Sequence, residues 1–176
     1  MVMWGSNSMH DLAAFTAALS FLAAPALATE IAPQTPEQQV AATLDAFHGA
    51  AARADGKAYF DLFTPDGVFI GTDVTERWTV PEFKAYAAPH FAKGRGWVYK
   101  ARERHVTLAP GECRCIAWFD EVLDSQSYGT ARGSGALVKG EDGWKVAHYV
   151  LSFPIPNDLA GGFTEQIKAY EAKPKP

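Results

Sequence analysis

Only two of the 176 residues are cysteine, and they stand two apart, as Cys113 and Cys115. Two cysteines cannot make a disulfide framework, and without other clustered ligands they make no zinc site. Both fall in a predicted strand and share one of its faces, where a bridge would be strained, so the expectation is two buried free thiols. Basic residues are also short: 16 Lys and Arg stand against 20 Asp and Glu, a net charge of -4. That balance gives no electrostatic footprint for nucleic acid or anionic lipid. There is no H-E-x-x-H, no spaced Cys/His set, no G-x-x-x-x-G-K-[ST] and no G-x-S-x-G. Metal-assisted hydrolysis, nucleotide transfer and serine catalysis therefore lack their signatures, and the reading includes no cofactor and no metal. No internal repeat is present.

The one long apolar run lies near the front. Residues Leu12 to Leu27 are rich in Ala, Leu and Phe and end in Pro25-Ala26-Leu27-Ala28. That ending resembles an A-x-A cleavage pattern, and the run is shorter than a membrane span needs. Residues 1–28 are read as an export signal, although no Lys or Arg precedes the run. The expected location is periplasmic or secreted, and cytoplasmic if the leader is not a signal. No membrane association is expected after its removal. Free thiols fit uneasily with an oxidising compartment. Residues 29–35 read as a linker, 36–160 as one α+β domain, and 161–176 as a C-terminal helix and tail.

What remains is ordinary for a globular domain, at 48% hydrophobic and 20% charged, with 12% aromatics that suit a large core or an aromatic-lined cavity. Thr35-Pro36-Glu37-Gln38 supplies an N-cap, a proline at N1 and a capping box, and Val40, Leu44, Phe47 and Ala51 recur at helical spacing. Gly56 ends that helix, and Lys57 to Phe63 makes a short second one. Thr64-Pro-Asp-Gly67 signals a turn before a strand over Val68 to Thr72. Thr79-Val-Pro-Glu82 opens a third helix running to about Lys93. Strands are expected over Trp97 to Leu108, with a bulge near Glu103 to His105, and over Cys113 to Leu123. A hairpin follows, from Tyr128 to Lys139 and Trp144 to Phe153, and a last helix over Thr164 to Ala172. Helices gathered before an antiparallel meander indicate helices on one face of a curved sheet.

The hairpin sets the faces. With Asp142-Gly143 in a three-residue loop and Gly140 opposite Trp144, His148 faces Ala136, Val150 faces Ser134 and Ser152 faces Arg132. Trp144, Val146, His148, Ser152, Arg132 and Ser134 then share one side. A four-residue turn over 124–127 brings Ala117, Phe119 and Glu121 to the same side. A slip of one residue in the turn would reverse the assignment. The other side, with Ile116, Trp118, Val122, Leu137, Ala147, Tyr149 and Leu151, is too apolar to face water, and a homodimer through it is the expectation.

Phe69-Ile-Gly-Thr-Asp73 with Glu76-Arg-Trp78, Ala117-Trp-Phe-Asp-Glu121, Tyr128-Gly, Arg132-Gly-Ser-Gly135, and Trp144-Lys with Tyr149 and Leu151-Ser-Phe-Pro-Ile-Pro-Asn157 together resemble the SnoaL-like branch of the nuclear transport factor 2 superfamily. The likeness spans roughly residues 36 to 160. It implies a cone-shaped sheet, antiparallel or mixed, wrapped around a pocket with about three helices on the concave face, and frequently a homodimer. It does not choose among isomerases, dehydratases, cyclases and binding proteins.

His148 is the leading candidate for proton transfer, because an imidazole can take or give a proton near neutral pH; the alternative is a core histidine bonded to backbone. Glu121, diagonal to Arg132, is either a tuned acid/base or half of a structural ion pair. Asp120 stays beside it, since a one-residue bulge would exchange the two. Asp73 stands at the rim or serves a turn. Trp78, Tyr86, Trp97 and Tyr99 are expected to line the cup, or else to pack the core, and Phe119, Ser134 and Ser152 complete the candidate ligand contacts. Lys100, Arg102 and Arg104 read as a solvated strand face. The glycines of Arg132-Gly-Ser-Gly135 are read as making room for Trp118 rather than cradling a phosphate.

Three functions fit: an exported cup for a small, largely apolar ligand, which is preferred; a cofactor-independent lyase, cyclase or isomerase using His148 with Glu121 or Asp120; and an interaction module whose cup is filled by its own side chains. A pocket of several hundred cubic ångströms is the expected mark of the first two.

Overall fold

The computed structural model describes residues 33–174. The leader and its cleavage pattern lie outside the described residues, as does most of the linker.

Helix α1, Pro36–Ala52, begins as its sequence dictates: Thr35 accepts from the Gln38 amide at 3.3 Å, and Gln38 Oε1 accepts from the Thr35 amide at 2.9 Å. Val40, Leu44, Phe47 and Ala51 are buried along one stripe, and His48 is buried with them. Helix α2, Gly56–Phe60, is capped by Asp55, whose side chain accepts from the Ala58 amide at 3.0 Å. Phe63 belongs not to this helix, as expected, but to β1, Phe63–Ile70, and the Thr64 to Gly67 turn is an irregularity inside that strand. Strand β2, Arg77–Thr79, leads into α3, Val80–Phe91, where Glu82 accepts from both the Thr79 amide and its hydroxyl. Four strands follow: β3, Lys100–Leu108; β4, Ile116–Ser125; β5, Gly129–Gly140; and β6, Gly143–Ser152. Helix α4, Asn157–Glu171, starts earlier than its periodicity suggested and buries none of its residues.

The strands form one curved six-stranded sheet in the order β2-β1-β6-β5-β4-β3. β1 runs parallel to β6 and the other pairings are antiparallel. Helices α1 to α3 and the concave face enclose a core in which Phe47, Tyr59, Phe63, Phe83, Phe119 and Tyr149 are buried. The α+β class and the helix-covered concave sheet are as the sequence indicated.

The register corrects the faces. The hairpin closes with Gly140 opposite Gly143, leaving a two-residue loop instead of three, and Gly143 holds φ 97°. Trp144 then pairs with Lys139 and Val146 with Leu137, but His148 pairs with Ala136, so Ala147 is an extra residue in β6. The pairs Ala136–His148, Ser134–Val150 and Arg132–Ser152 are those read from sequence. Their faces are not. Crossing a bulge reverses the alternation, so Trp144 and Val146 point inward before it and Tyr149 points inward after it. His148, Val150, Ser152, Arg132 and Ser134 therefore lie on the outer face. Leu137, Tyr149 and Leu151, read as outward, pack in or against the core. On β4 Ala117, Phe119 and Glu121 point inward, as read, together with Leu123, and Phe119 pairs with Gly135.

The cysteines are not free thiols in a strand. They precede β4, in a turn where Arg114 takes φ 43°, and this bend brings their Cα atoms to 5.1 Å in a Cys113–Cys115 disulfide.

Candidate functional site

Glu121 is wholly buried. A carboxylate out of water needs its lone pairs matched, and here three side chains do so. The Tyr149 hydroxyl donates to Oε1 at 3.1 Å, His48 Nε2 lies 2.6 Å from the same oxygen, and Arg104 Nε donates to Oε2 at 2.8 Å. Arg104 in turn gives Nη1 to Asp45 at 2.8 Å and to the Ala41 carbonyl at 3.0 Å, tying β3 and β4 to α1. Its Nη2 is buried without a partner.

The local sequence places each group. Glu121 and Arg104 are directly paired across β4 and β3. His48 follows Leu44 by one helical turn on the inward face of α1. Tyr149 arrives from β6 because the Ala147 bulge turns it inward. Between Glu121 and Tyr149 lies Gly133, paired with Glu121. A Cβ there would run into the Tyr149 hydroxyl and lie 2.8 Å from Glu121 Oε1, so a bare backbone is what lets the two meet.

Burial pushes the Glu121 carboxyl upward, but the hydrogen bonds and charges of His48 and Arg104 outweigh it and hold the pKa below the ordinary value. Burial likewise works against charge on Arg104, and Asp45 and Glu121 more than offset it. Burial first, then the Glu121 charge, keeps the Tyr149 phenol protonated well beyond its usual range. An ionised carboxylate can only accept. The proton in the 2.6 Å contact therefore sits on His48 Nε2, which leaves Nδ1 as the nitrogen available for other work.

His48 and Tyr149 stand on the wall of a cavity of about 190 Å³, with Glu121 behind them. The wall continues from Tyr149 in aromatic rings, since Phe69 pairs with Tyr149 and their rings stack at 5.5 Å. Phe69, Phe83, Trp78 and Tyr86 form a near-parallel series: Phe69 and Phe83 centroids are 4.1 Å apart, Trp78 and Phe83 lie within 6° of parallel, and Trp78 and Tyr86 are 4.8 Å apart. Trp97 and Tyr99 also line the space, and burial raises the Tyr99 phenol to about 12. The more exposed Tyr128 and Phe153, whose tilted rings lie 4.9 Å apart, stand at the mouth with Tyr86. The cavity is smaller than the several hundred cubic ångströms expected.

Of the residues singled out from sequence, Trp78, Tyr86, Trp97 and Tyr99 line this cavity, and Glu121 anchors the polar cluster beside it. Phe119 packs in the core against Tyr149, off the cavity wall. Asp120 is exposed on the outer side of β4, and Arg132 is exposed on β5, so neither meets Glu121. His148, Ser134 and Ser152 share that outer face. Asp73 stays in its turn, accepting from the Thr75 amide at 2.9 Å and hydroxyl at 2.6 Å. Among the described residues no group of three or more His, Cys, Asp or Glu could hold a metal ion.

Three functional residues escaped the sequence reading: Tyr149, which the Ala147 bulge turns inward, and two that left a trace. His48 is one turn beyond Leu44 on the stripe already identified in α1. Arg104 stands in phase with Val106 and Leu108, which turn inward. The bulge lies at Arg102, since Ala101 pairs with Leu123 and Glu103 with Val122. Arg104 is therefore out of step with the solvated Arg102.

Residues 40–156 match the model of the SnoaL-like domain. A search of curated proteins finds no sequence match. Among solved structures the chain is similar to a provisionally named aromatic ring hydroxylase from Novosphingobium aromaticivorans, at 19% identity and a TM-score of 0.58, covering 69% of this chain and 90% of that one. It is similar to a provisionally named dehydratase of the nuclear-transport-factor-2-like family from Streptomyces avermitilis, at 16% identity and a TM-score of 0.57, covering 68% and 96%. A nuclear-transport-factor-2-like protein of unknown function from Pseudomonas putida gives 15% identity and a TM-score of 0.56, covering 70% and 89%. At these identities the likeness concerns the fold.

Proposed function

This chain belongs to the SnoaL-like family, and from that premise we propose that its cavity binds a small ring-bearing molecule and carries out cofactor-independent proton transfer on it. His48 is the acid/base, and Glu121 is the positioning residue behind it. The observation that carries the reading is the 2.6 Å contact of His48 Nε2 with a fully buried Glu121, made by an imidazole that also lines the cavity. A carboxylate on one ring nitrogen fixes the tautomer and orients the ring, which leaves the other nitrogen to take or give a proton. Arg104, with His48 itself, holds Glu121 ionised, and Tyr149 donates to the same carboxylate.

Size narrows the ligand. An apolar cavity of about 150 Å³ accommodates benzene, so about 190 Å³ suits one substituted ring and not a fused polycycle. The step is removal of a proton from carbon next to a carbonyl: the C–H electron pair passes into an enolate, the proton goes to His48 Nδ1, and its return to the same carbon completes an exchange, or, where a C=C is conjugated with the enolate, its return to the far carbon of that dienolate completes an isomerisation.

The test is α-proton exchange of single-ring aryl ketones in D2O, followed by NMR. The wild-type chain should accelerate exchange of a ketone that it binds, and His48→Ala should fall to the buffer rate. Bound ketones that exchange no faster than in buffer would leave only a binding cup.

Export and dimerisation belong to the same proposal. A Cys113–Cys115 disulfide suits an oxidising compartment, and half-exposed Ile116 and Trp118 on the outer face suit a homodimer. Light scattering that gives a monomer at micromolar concentration would remove the dimer, and cytoplasmic recovery with the leader intact would remove export.

A further inference from the structure

Charge is distributed unevenly over the cavity wall. Among the described residues that line it there is one carboxylate, Glu76, and neither a lysine nor an arginine. Glu76 comes from the loop between β1 and β2. Its backbone carbonyl accepts from the Gly71 amide at 2.8 Å, and its Oε2 accepts from the Asp73 amide at 3.1 Å. The side chain lies over Gly71, where a Cβ would collide with it. The loop therefore holds this acid in one place, and only a glycine at 71 admits it. No cationic side chain pairs with it among the ion pairs of the described residues. The other carboxylate near the space, Glu121, already has Arg104 and stands behind His48.

The same wall carries the rings of Trp78, Tyr86, Trp97, Tyr99 and Tyr128. Their faces carry the negative end of the ring quadrupole and attract a cation that lies over them. An unpaired carboxylate at a half-buried site adds to that attraction and repels an anion. A carboxylate or phosphate ligand would have to leave water with no lysine or arginine on the wall to receive it, and with His48 already engaged by Glu121.

We infer that the ligand is a cation: an ammonium group on a single-ring apolar body, with the ring among the aromatic side chains and the ammonium against Glu76. This rests on the proposal that the cavity binds a small ring-bearing molecule, and it assigns the charge that the molecule carries.

Three probes of nearly equal size separate the possibilities in calorimetric titrations of the full chain at neutral pH and low salt: benzylamine, benzyl alcohol and benzoate. Benzylamine should bind about tenfold more tightly than benzyl alcohol, the combined scale of a cation–π contact and a partly exposed ion pair. Benzoate should bind most weakly. Raising the salt concentration should narrow the gap between benzylamine and benzyl alcohol. Glu76→Gln keeps an acceptor for the Asp73 amide and removes the ion pair, so it should narrow the gap between those two dissociation constants to what the aromatic faces alone supply. If benzyl alcohol or benzoate matches benzylamine on the wild-type chain, or if the preference is undiminished in Glu76→Gln, the charge assignment is overturned while the cavity reading stands. If none of the three binds, the cavity reading falls and this inference falls with it.

Discussion

Strands β4, β5 and β6 carry two faces built from alternating residues of the same segments, and the faces treat polar groups in opposite ways. On the concave side Glu121 is fully buried, and Arg104, His48 and Tyr149 meet it within 3.1 Å. One residue away on the outer side, Asp120 and Arg132 are exposed. The difference lies in strand alternation on β4 and β5, not in residue type, and the bulges at Arg102 and Ala147 decide which partners reach Glu121. A charge that must leave water acquires a complete set of partners, whereas one that stays hydrated needs none. Removing a partner from the first face should therefore cost much more than removing one from the second.

The largest effect is expected at Arg104. Arg104→Met keeps most of the volume but leaves Glu121 with an uncompensated charge, and breaking one side of a buried pair costs about 3–5 kcal/mol. Denaturant unfolding should show that loss as a lower midpoint. The same cluster sets a pH dependence. The folded Glu121 pKa is below its ordinary value of 4.5, so its contribution is fully present above that value. It is lost as pH falls through the lower folded pKa. Glu121→Gln should flatten the acid limb of the stability curve, and an unchanged limb would show that other carboxylates dominate it.

Gly133 comes next. Gly133→Ala places a methyl group against the Tyr149 hydroxyl and Glu121, and overpacking of this kind costs about 1–3 kcal/mol. If thermal unfolding of this variant matched wild type, Tyr149 and Glu121 would have room to separate, and the rigid cluster described here would be wrong.

The reach of the sequence can be judged from these same positions. The fold class was legible because caps, helical periodicity and turn residues agreed across the chain, and Thr35 and Glu82 make the contacts their spacing implied. Glu121 was legible because β4 alternates cleanly. Its partners were not. Arg132 is nearer in the chain, but Arg104 pairs with Glu121 only across a strand whose register depends on the Arg102 bulge. The histidine failed for a related reason. Three of the pairings with β6 were read correctly, and Ala147 still reversed the face because a bulge inserts one residue without changing composition. His48 was overlooked because α1 was read for its apolar stripe, although a lone imidazole on a buried stripe needs a hydrogen-bond partner. The disulfide was hidden because Cys113 and Cys115 were placed in a strand, whereas Arg114 turns the chain.

The smallest expected effects test the outer face. His148→Ala and Arg132→Ala should each alter stability by no more than about 0.5 kcal/mol, and both should leave probe binding and ketone exchange at wild-type values. The reason is geometric: His148 shares its face with Ser134 and Val150, while its neighbour Tyr149 takes the concave side and reaches Glu121 at 3.1 Å. Only one of two consecutive strand residues can face inward. His48→Ala and His148→Ala should therefore separate cleanly, the first abolishing exchange and the second leaving it intact. The reverse result would place the imidazole of β6 in the cavity, which is possible only if the Ala147 bulge is absent and the chain from Trp144 to Ser152 alternates without interruption.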